Sequence, residues 1–270
     1  MLPDIDQLAW EYLTETWTLY AKSEDTDSKT KLSTRTTING IDNGRCIKWY
    51  GTGIVRLECF YKNGLLEGPC IEYDRKGCIT RSRTFIKDKV TGLYEIFNNG
   101  VKISSGIVWE SSTCDDLTGE SITYDGLYTE WFKDGSIYKL INYKQGLMHG
   151  NYISYYENGQ VEEKQYYING RRIGLAKEYY ESGVVKSIRR YVDNRLHGKF
   201  IDYNENGTIT QQGYYRHGHI HGLVRYWNAD GVLTGEANYH YRIMHGEYKE
   251  WYGPHISRTR QYYMGLAIKH

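Results

Sequence analysis

Proline is nearly absent from this 270-residue chain, with three in all, and there are only four methionines. Leucine and alanine are sparse as well, so the residues a helical domain would draw on are in short supply. The longest apolar runs are four or five residues, which excludes a transmembrane helix. An excess of one charge is also missing. Lys and Arg number 34 against 33 Asp and Glu, a formal +1, so the overall field points to no nucleic acid, anionic membrane or acidic substrate. The five cysteines, Cys46, Cys59, Cys70, Cys78 and Cys114, contain no Cys-x-x-Cys pair, so neither a disulfide framework nor a zinc site is expected. The first residues, Met1-Leu2-Pro3-Asp4-Ile5-Asp6, are acidic and lack the apolar stretch of a secretory signal. The expected compartment is therefore reducing and cytoplasmic, where the cysteines remain thiols.

What the chain does contain is tyrosine, 28 residues, and glycine, 29. Aromatic and β-branched residues favour strands and glycine marks the turns between them, so the expected fold is all-β. A period organises it. Gly126, Gly150, Gly174, Gly198, Gly222 and Gly246 each stand 24 residues after the last, and Gly44, Gly68 and Gly92 keep the same interval. Five positions after the opening glycine comes an aromatic at all nine copies, from Trp49 and Tyr73 to Trp227 and Trp251. Nine positions after it comes a second glycine, as in Asp134-Gly135, Asn158-Gly159 and Asn206-Gly207. A further aromatic follows at position seventeen (Tyr143, Tyr167, Tyr191, Tyr215), and a third glycine, as in Gly146, Gly170 and Gly218, precedes the next unit by four.

Each unit thus reads as a strand, a tight Asn-Gly or Asp-Gly turn with positive φ at both residues, a second strand and a short glycine-bounded loop. A lone hairpin is marginal in water, so the units must add edge to edge. Two strands per unit at about 4.8 Å give a rise of about 9.6 Å per repeat. The predicted architecture is an elongated single-sheet antiparallel β-hairpin repeat solenoid, roughly 85 Å long, with a short N-terminal helix. Its aromatics are expected to form ladders, each ring packing on its counterpart in the next repeat, half wet because a thin sheet cannot bury both faces.

The run Gly126-Leu127-Tyr128-Thr129-Glu130-Trp131-Phe132-Lys133-Asp134-Gly135 resembles the MORN repeat (membrane occupation and recognition nexus), in its variant with a longer unit. The closing His-Gly pairs, His149-Gly150, His197-Gly198, His221-Gly222 and His245-Gly246, match that family's habit of ending one unit and opening the next. The resemblance covers about Gly44 to Met264. It implies protein–protein contact and scaffolding, with lipid binding proposed for some members. It brings no catalytic residues. The long variant occurs in bacterial antitoxin-like repeat proteins and in large DNA viruses of amoebae. The resemblance therefore also admits a component of a virus particle, placed in host-cell cytoplasm or virion, or an antitoxin-like neutralising protein. Cys46 and Cys70 stand where later units carry tyrosine or phenylalanine.

Two stretches depart from the period. Gly92 and Gly126 are 34 residues apart, and the excess is placed as an insertion within 104–125, containing Trp109, Cys114, Asp115 and Asp116. It reads either as a neutral surface excursion or as the irregular element that meets a partner. Residues 1–20 are expected to form a capping helix running to about Trp17, on Ile5, Leu8, Trp10, Leu13 and Trp17 at near-helical spacing. Such a helix would cover the first strand edge or dock another protein. Residues 21–43 read as a degenerate first repeat, and 44–270 as the array.

Chemistry is weakly signalled. Junction histidines about 9.6 Å apart cannot share a zinc ion, whose nitrogen ligands sit about 2 Å from the metal. His217-x-His219-x-His221 is closer but has no acidic or thiol partner nearby. A basic group, Arg171, Arg172, Lys186, Arg189 and Arg190, is interleaved with Glu162, Glu163, Glu178 and Glu181, which reads as solvation rather than a nucleic-acid stripe. No phosphate loop, zinc-protease pair or nucleophile elbow is present. The expectation is a protein that is not an enzyme, with no metal, cofactor or small-molecule substrate. It binds a protein partner or its own copy, with a membrane surface possible but not favoured. Candidate partner-binding residues are Trp109, Asp115 and Asp116 on the insertion, and Tyr156, Tyr180 and Tyr252 on the sheet.

Overall fold

A computed structural model describes residues 14–22, 29–111, 122–252 and 256–268, and everything in these stretches is strand or turn. The chain divides into two compact units, one up to Asp125 and one from Gly126. In the first, β1 (Thr14–Lys22), β2 (Lys29–Ile38), β3 (Ile41–Trp49) and β4 (Val55–Lys62) are followed by the short β5 (Leu65–Leu66). Next come β6 (Gly68–Tyr73), β7 (Ile79–Ile86), β8 (Lys89–Asn98) and β9 (Val101–Ser111), and β10 (Ile122–Trp131) spans the boundary. Each long strand pairs antiparallel with its neighbour in sequence, β5 and β6 sharing β4 as partner.

The second unit repeats the plan. It holds β11 (Ile137–Lys144), β12 (Leu147–Tyr155), β13 (Val161–Ile168), β14 (Arg171–Tyr179) and β15 (Val185–Val192). They continue as β16 (Arg195–Leu196), β17 (Gly198–Tyr203), β18 (Ile209–Arg216), β19 (His219–Ile220) and β20 (Gly222–Trp227). The last are β21 (Leu233–His240), β22 (Ile243–Trp251), β23 (Ile256–Tyr263) and β24 (Leu266–Ile268). Pairing is antiparallel throughout and in hairpin order.

The two kinds of turn are exchanged relative to expectation. The Asn158-Gly159 type of corner is a four-residue turn: the Gly159 N–H donates to Tyr156 O at 2.9 Å and the Tyr156 N–H to Gln160 O at 2.8 Å. Only the glycine has positive φ (80°), so the corner is a type I turn closed by a glycine bulge. The true two-residue turns, with both residues left-handed, are the supposed loops, such as Asn169-Gly170 (48° and 76°) and His217-Gly218 (52° and 85°). They need no glycine everywhere: Asp193-Asn194 and Tyr241-Arg242 adopt the same pair of angles. Successive two-residue turns are tied together, since the Gly170 N–H donates to Met148 O, Asn194 to Arg172 O and Gly218 to Leu196 O, at 2.8–3.1 Å.

The opening His-Gly is a β-bulge. Tyr143 faces Met148 and Ile141 faces Tyr152, leaving His149-Gly150-Asn151 opposite Asn142 alone. Gly150 takes φ 109°, and a Cβ on it would come 3.2 Å from Asn142 Cβ. The Asn142 side-chain N–H closes the gap on Asn151 O at 3.0 Å, as Asn238 does on Glu247 O at 3.2 Å. A kink is thereby set at fixed intervals along each array.

One face of each sheet is the core. Positions two and fifteen after the opening glycine lie opposite one another and are filled by volume: Tyr128 with Ile141, Phe200 with Gly213, Val224 with Ala237. Phe200, Val224 and Ala237 are at most 1% exposed. In the first unit Cys46, Cys59, Cys70, Phe85, Val90, Tyr94 and Val108 form a continuous core, with Ile122 and Tyr124 against it. The nine aromatics at position five are all half-buried, as a one-sided sheet requires. Rings meet within a hairpin rather than with their counterparts in the next repeat: Tyr128 with Tyr143 at 6.0 Å, Tyr152 with Tyr167 at 6.2 Å, Phe200 with Tyr215 at 4.8 Å.

One expectation needs correcting. The N-terminal helix is not seen. Residues 14–17, its predicted end, belong to β1, where Thr14, Thr16 and Thr18 alternate at strand period and the register with β2 runs from Thr14↔Ile38 to Lys22↔Lys29. The rest of that prediction lies outside the described residues. Within 104–125, residues 104–111 continue β9 and 122–125 begin β10. The register breaks earlier, at Asn99-Gly100, where a two-residue turn replaces the four-residue corner of the other repeats and pairs Gly92 with Val108.

Candidate interaction face

The face opposite the core carries positions one, sixteen, eighteen and twenty-one of each repeat, held together because directly opposed residues share a face. Asn151 faces Tyr166, Leu175 faces Arg190, Lys199 faces Tyr214, and Lys144 faces Leu147. In the second unit this brings Leu127, Leu147, Tyr166, Ile168, Leu175, Val192 and Tyr214 to the surface at 39–59% exposure. Near the two-residue turns, Leu147 packs towards Gly170, where a Cβ would stand 3.7 Å from its Cδ2, and Ile243 lies similarly close to Gly265 at 3.3 Å. Position one carries Leu127 and Leu175 in alternate repeats and Asn151 and Lys199 in the others, so the aliphatic side chains form an interrupted row. Charged side chains flank it, as in the exposed Arg171–Asp193 pair at 2.7 Å.

The expected partner-binding residues are distributed differently. Tyr156 and Tyr180 are half-buried clips between repeats: their hydroxyls donate to Tyr179 O at 2.7 Å and Tyr203 O at 2.8 Å, and Tyr50 does the same to Tyr73 O at 2.8 Å. Where the same position is Asp74, Asn204 or Asn228, the side-chain oxygen instead accepts from N–H groups of its own turn. Tyr252 is 72% exposed, and Glu250 beside it raises its phenol above the usual range through a hydrogen bond. Trp109 lies on β9. Asp115 and Asp116 fall outside the described residues. The outer aliphatic residues were missed in the sequence because single exposed leucines look unremarkable until the register puts them on one face.

The other candidates disperse. His217 meets His197 (5.7 Å between ring centres), while His219 and His221 both meet Tyr241 (6.2 and 5.0 Å) and His221 also meets His240 (5.3 Å), so the 217–221 run is taken up in ring contacts. Among the described residues no group of three or more His, Cys, Asp or Glu is arranged to hold a metal ion. Of the basic group, Arg189 is turned to the core face, pairing Asp202 at 2.5 Å and lying over the Phe200 ring. Arg172 donates to Tyr167 Oη at 2.9 Å and Lys186 sits over Tyr180. Glu163 stands directly opposite Glu178, and burial, with Glu178 adding to it, raises its carboxyl above the ordinary range. A shallow groove lined by Ile38, Asn39, Ile41, Asn43 and Asn63 contains no acid, base or nucleophile. No helix among the described residues is long and apolar enough to cross a membrane.

No curated protein matches the chain. A comparison with protein families matches the MORN repeat variant five times in succession, at residues 124–145, 148–169, 172–193, 196–217 and 220–241. Each match begins just before the opening glycine and ends at the two-residue turn, so its bounds are those of the hairpin-plus-bulge unit. These five units, between residues 124 and 241, are repeats of the MORN variant.

Proposed function

We propose that the chain is a non-enzymatic scaffold that holds a protein partner, or a second copy of itself, against the outer face of its second unit. The stretch around Trp109, Asp115 and Asp116 would add specificity. The observation that carries this reading is the set of aliphatic side chains on the side opposite the core: Leu127, Leu147, Leu175 and Val192 are each about half exposed there. One exposed apolar side chain needs no explanation, but several gathered on one face and rimmed by charge are a surface that a partner can cover. Core-face polar groups such as Arg189–Asp202 and Ser154–Glu162 are paired with one another, which supports a binding role over a catalytic one.

The test is recovery of cross-linked partners from the native source with full-length protein carrying Leu175→Asp and Leu127→Asp. Partner recovery should drop severalfold while β-type circular dichroism is kept. Unchanged recovery would remove the face from the proposal. Deleting 112–121 separately reports on the irregular stretch, which the reading expects to weaken capture without unfolding the arrays.

A further inference from the structure

The first unit contains a row of chemistry that the scaffold role leaves unused. Cys46 on β3 lies directly opposite Cys59 on β4. The pairing of β4 with β6, Leu57↔Glu72 and Glu58↔Ile71, places Cys70 opposite Cys59 one step further on. Three thiols therefore cross three adjacent strands in a line, at 6%, 1% and 3% exposure. The Cys59 thiol is within hydrogen-bonding reach of both neighbours. Arg83, opposite Cys70 and paired with Glu72, closes the row. The equivalent places in the second unit hold Tyr128 and Ile141, Phe200 and Gly213, or Val224 and Ala237, so packing alone does not demand thiols here.

We infer that Cys46 and Cys59 form a reversible cross-strand disulfide when a hydroperoxide reaches the first unit, with Cys70 as the base that takes the Cys59 proton. Directly opposed residues of an antiparallel pair have Cα atoms about 4.5–5.5 Å apart, inside the roughly 4.4–6.8 Å that a disulfide spans. The roles follow from the environment of each sulfur. The hydrogen bond from Cys59 lowers the Cys46 thiol to about 7, which makes it the nucleophile, and it is also the least enclosed of the three. Cys59, between two sulfurs and buried, is held protonated. Once Cys46 is oxidised, the single Cys59 proton can be donated to Cys70 instead, which that hydrogen bond, with Arg83 adding to it, draws towards thiolate.

In the first step the Cys46 thiolate attacks the terminal oxygen of the hydroperoxide. The O–O bond breaks, an S–O bond forms, and the alkoxide leaves and is protonated to the alcohol. In the second, Cys59 gives its proton to Cys70 and attacks the Cys46 sulfenic sulfur; the S–O bond breaks and hydroxide leaves as water. The sum is two thiols and one hydroperoxide giving a disulfide, an alcohol and water, the peroxide oxygen being reduced as sulfur is oxidised. An added dithiol reverses the change by exchange. The product ties the two strands of one hairpin covalently.

The experiment uses the full chain and hydrogen peroxide as the probe. After brief exposure, remaining thiols are blocked with N-ethylmaleimide in denaturant and peptides are mapped by mass spectrometry. The expected product is a Cys46–Cys59 cross-linked peptide, lighter by two hydrogens, lost on reduction with dithiothreitol, in protein that keeps its β-type circular dichroism. Cys70→Ser should slow its formation and move the pH profile of the rate upward, whereas Cys78→Ser should leave both unchanged. Recovery of Cys46 and Cys59 as free thiols while Cys78 is oxidised overturns the inference, and so does a link joining Cys59 to Cys70 or either cysteine to Cys78. The wild-type map decides the matter even if a variant fails to fold.

Discussion

Gly213 occupies a core position whose size is set by its neighbours rather than by backbone conformation. A Cβ built on it would stand 2.8 Å from Phe200 Cε1, 2.8 Å from Val224 Cγ2 and 3.0 Å from Phe200 Cζ, where carbon atoms prefer about 3.5–4.0 Å. Phe200 is 1% exposed and Val224 0%, so neither can retreat into solvent. Overpacking of this kind costs about 1–3 kcal/mol, offset by about 0.4–1 kcal/mol from the stiffer unfolded chain that alanine confers. Gly213→Ala should therefore lose about 1–2 kcal/mol, read as a fall of roughly 0.5–1 M in the urea midpoint followed by circular dichroism and tryptophan fluorescence. The same reasoning fixes the remedy. Phe200→Leu removes the ring atoms that crowd the methyl group, so the double variant should be more stable than the sum of the two single effects by at least about 0.5 kcal/mol. A Gly213→Ala protein as stable as wild type, or strict additivity in the double variant, would refute the account of how positions two and fifteen share volume.

Further outcomes follow from the inter-repeat contacts. Tyr180→Phe deletes the 2.8 Å bond to Tyr203 O and should cost about 0.5–1.5 kcal/mol in the same urea titration; no loss would show that the clip is decorative. Glu163 is held above the ordinary carboxyl range in the folded chain, so its charge opposes folding at neutral pH, and its contribution improves as pH falls through its folded titration towards that range. Glu163→Gln should thus stabilise at pH 7, by under about 1 kcal/mol because the group is partly solvated. That gain should shrink by pH 5, and an equal gain at both would contradict the assignment.

The period was readable because each repeated position has its own physical demand. A bulge that needs left-handed φ returns a glycine every 24 residues, and a half-wet seam returns an aromatic at position five. The turns were misassigned because Asn-Gly serves both kinds. The distinguishing signal was the pair Asp193-Asn194, two residues tolerant of left-handed φ with no glycine, which marks the two-residue turn. The helix was over-read at Trp17: its stripe ignored the threonines at 14, 16 and 18, whose alternation fits β1. The candidate face could not be seen from one repeat, since only strand register puts Leu127 and Leu175 on the side opposite the core. For Tyr156 and Tyr180, the destination of the hydroxyls depended on where the next repeat's backbone lies, which no single repeat shows.

That hydroxyl has a mechanical consequence. At Tyr156 and Tyr180 the corner of one hairpin grips the following one, and Asn158 adds a second hold on Glu181 O at 2.8 Å. At Asn204 and Asn228 the side chain folds back on its own loop. A load pulling the second unit end to end would meet stiffer joints between residues 150 and 203 than beyond 204. Stretching would begin towards the C-terminal repeats, leaving the earlier ones as a rigid handle.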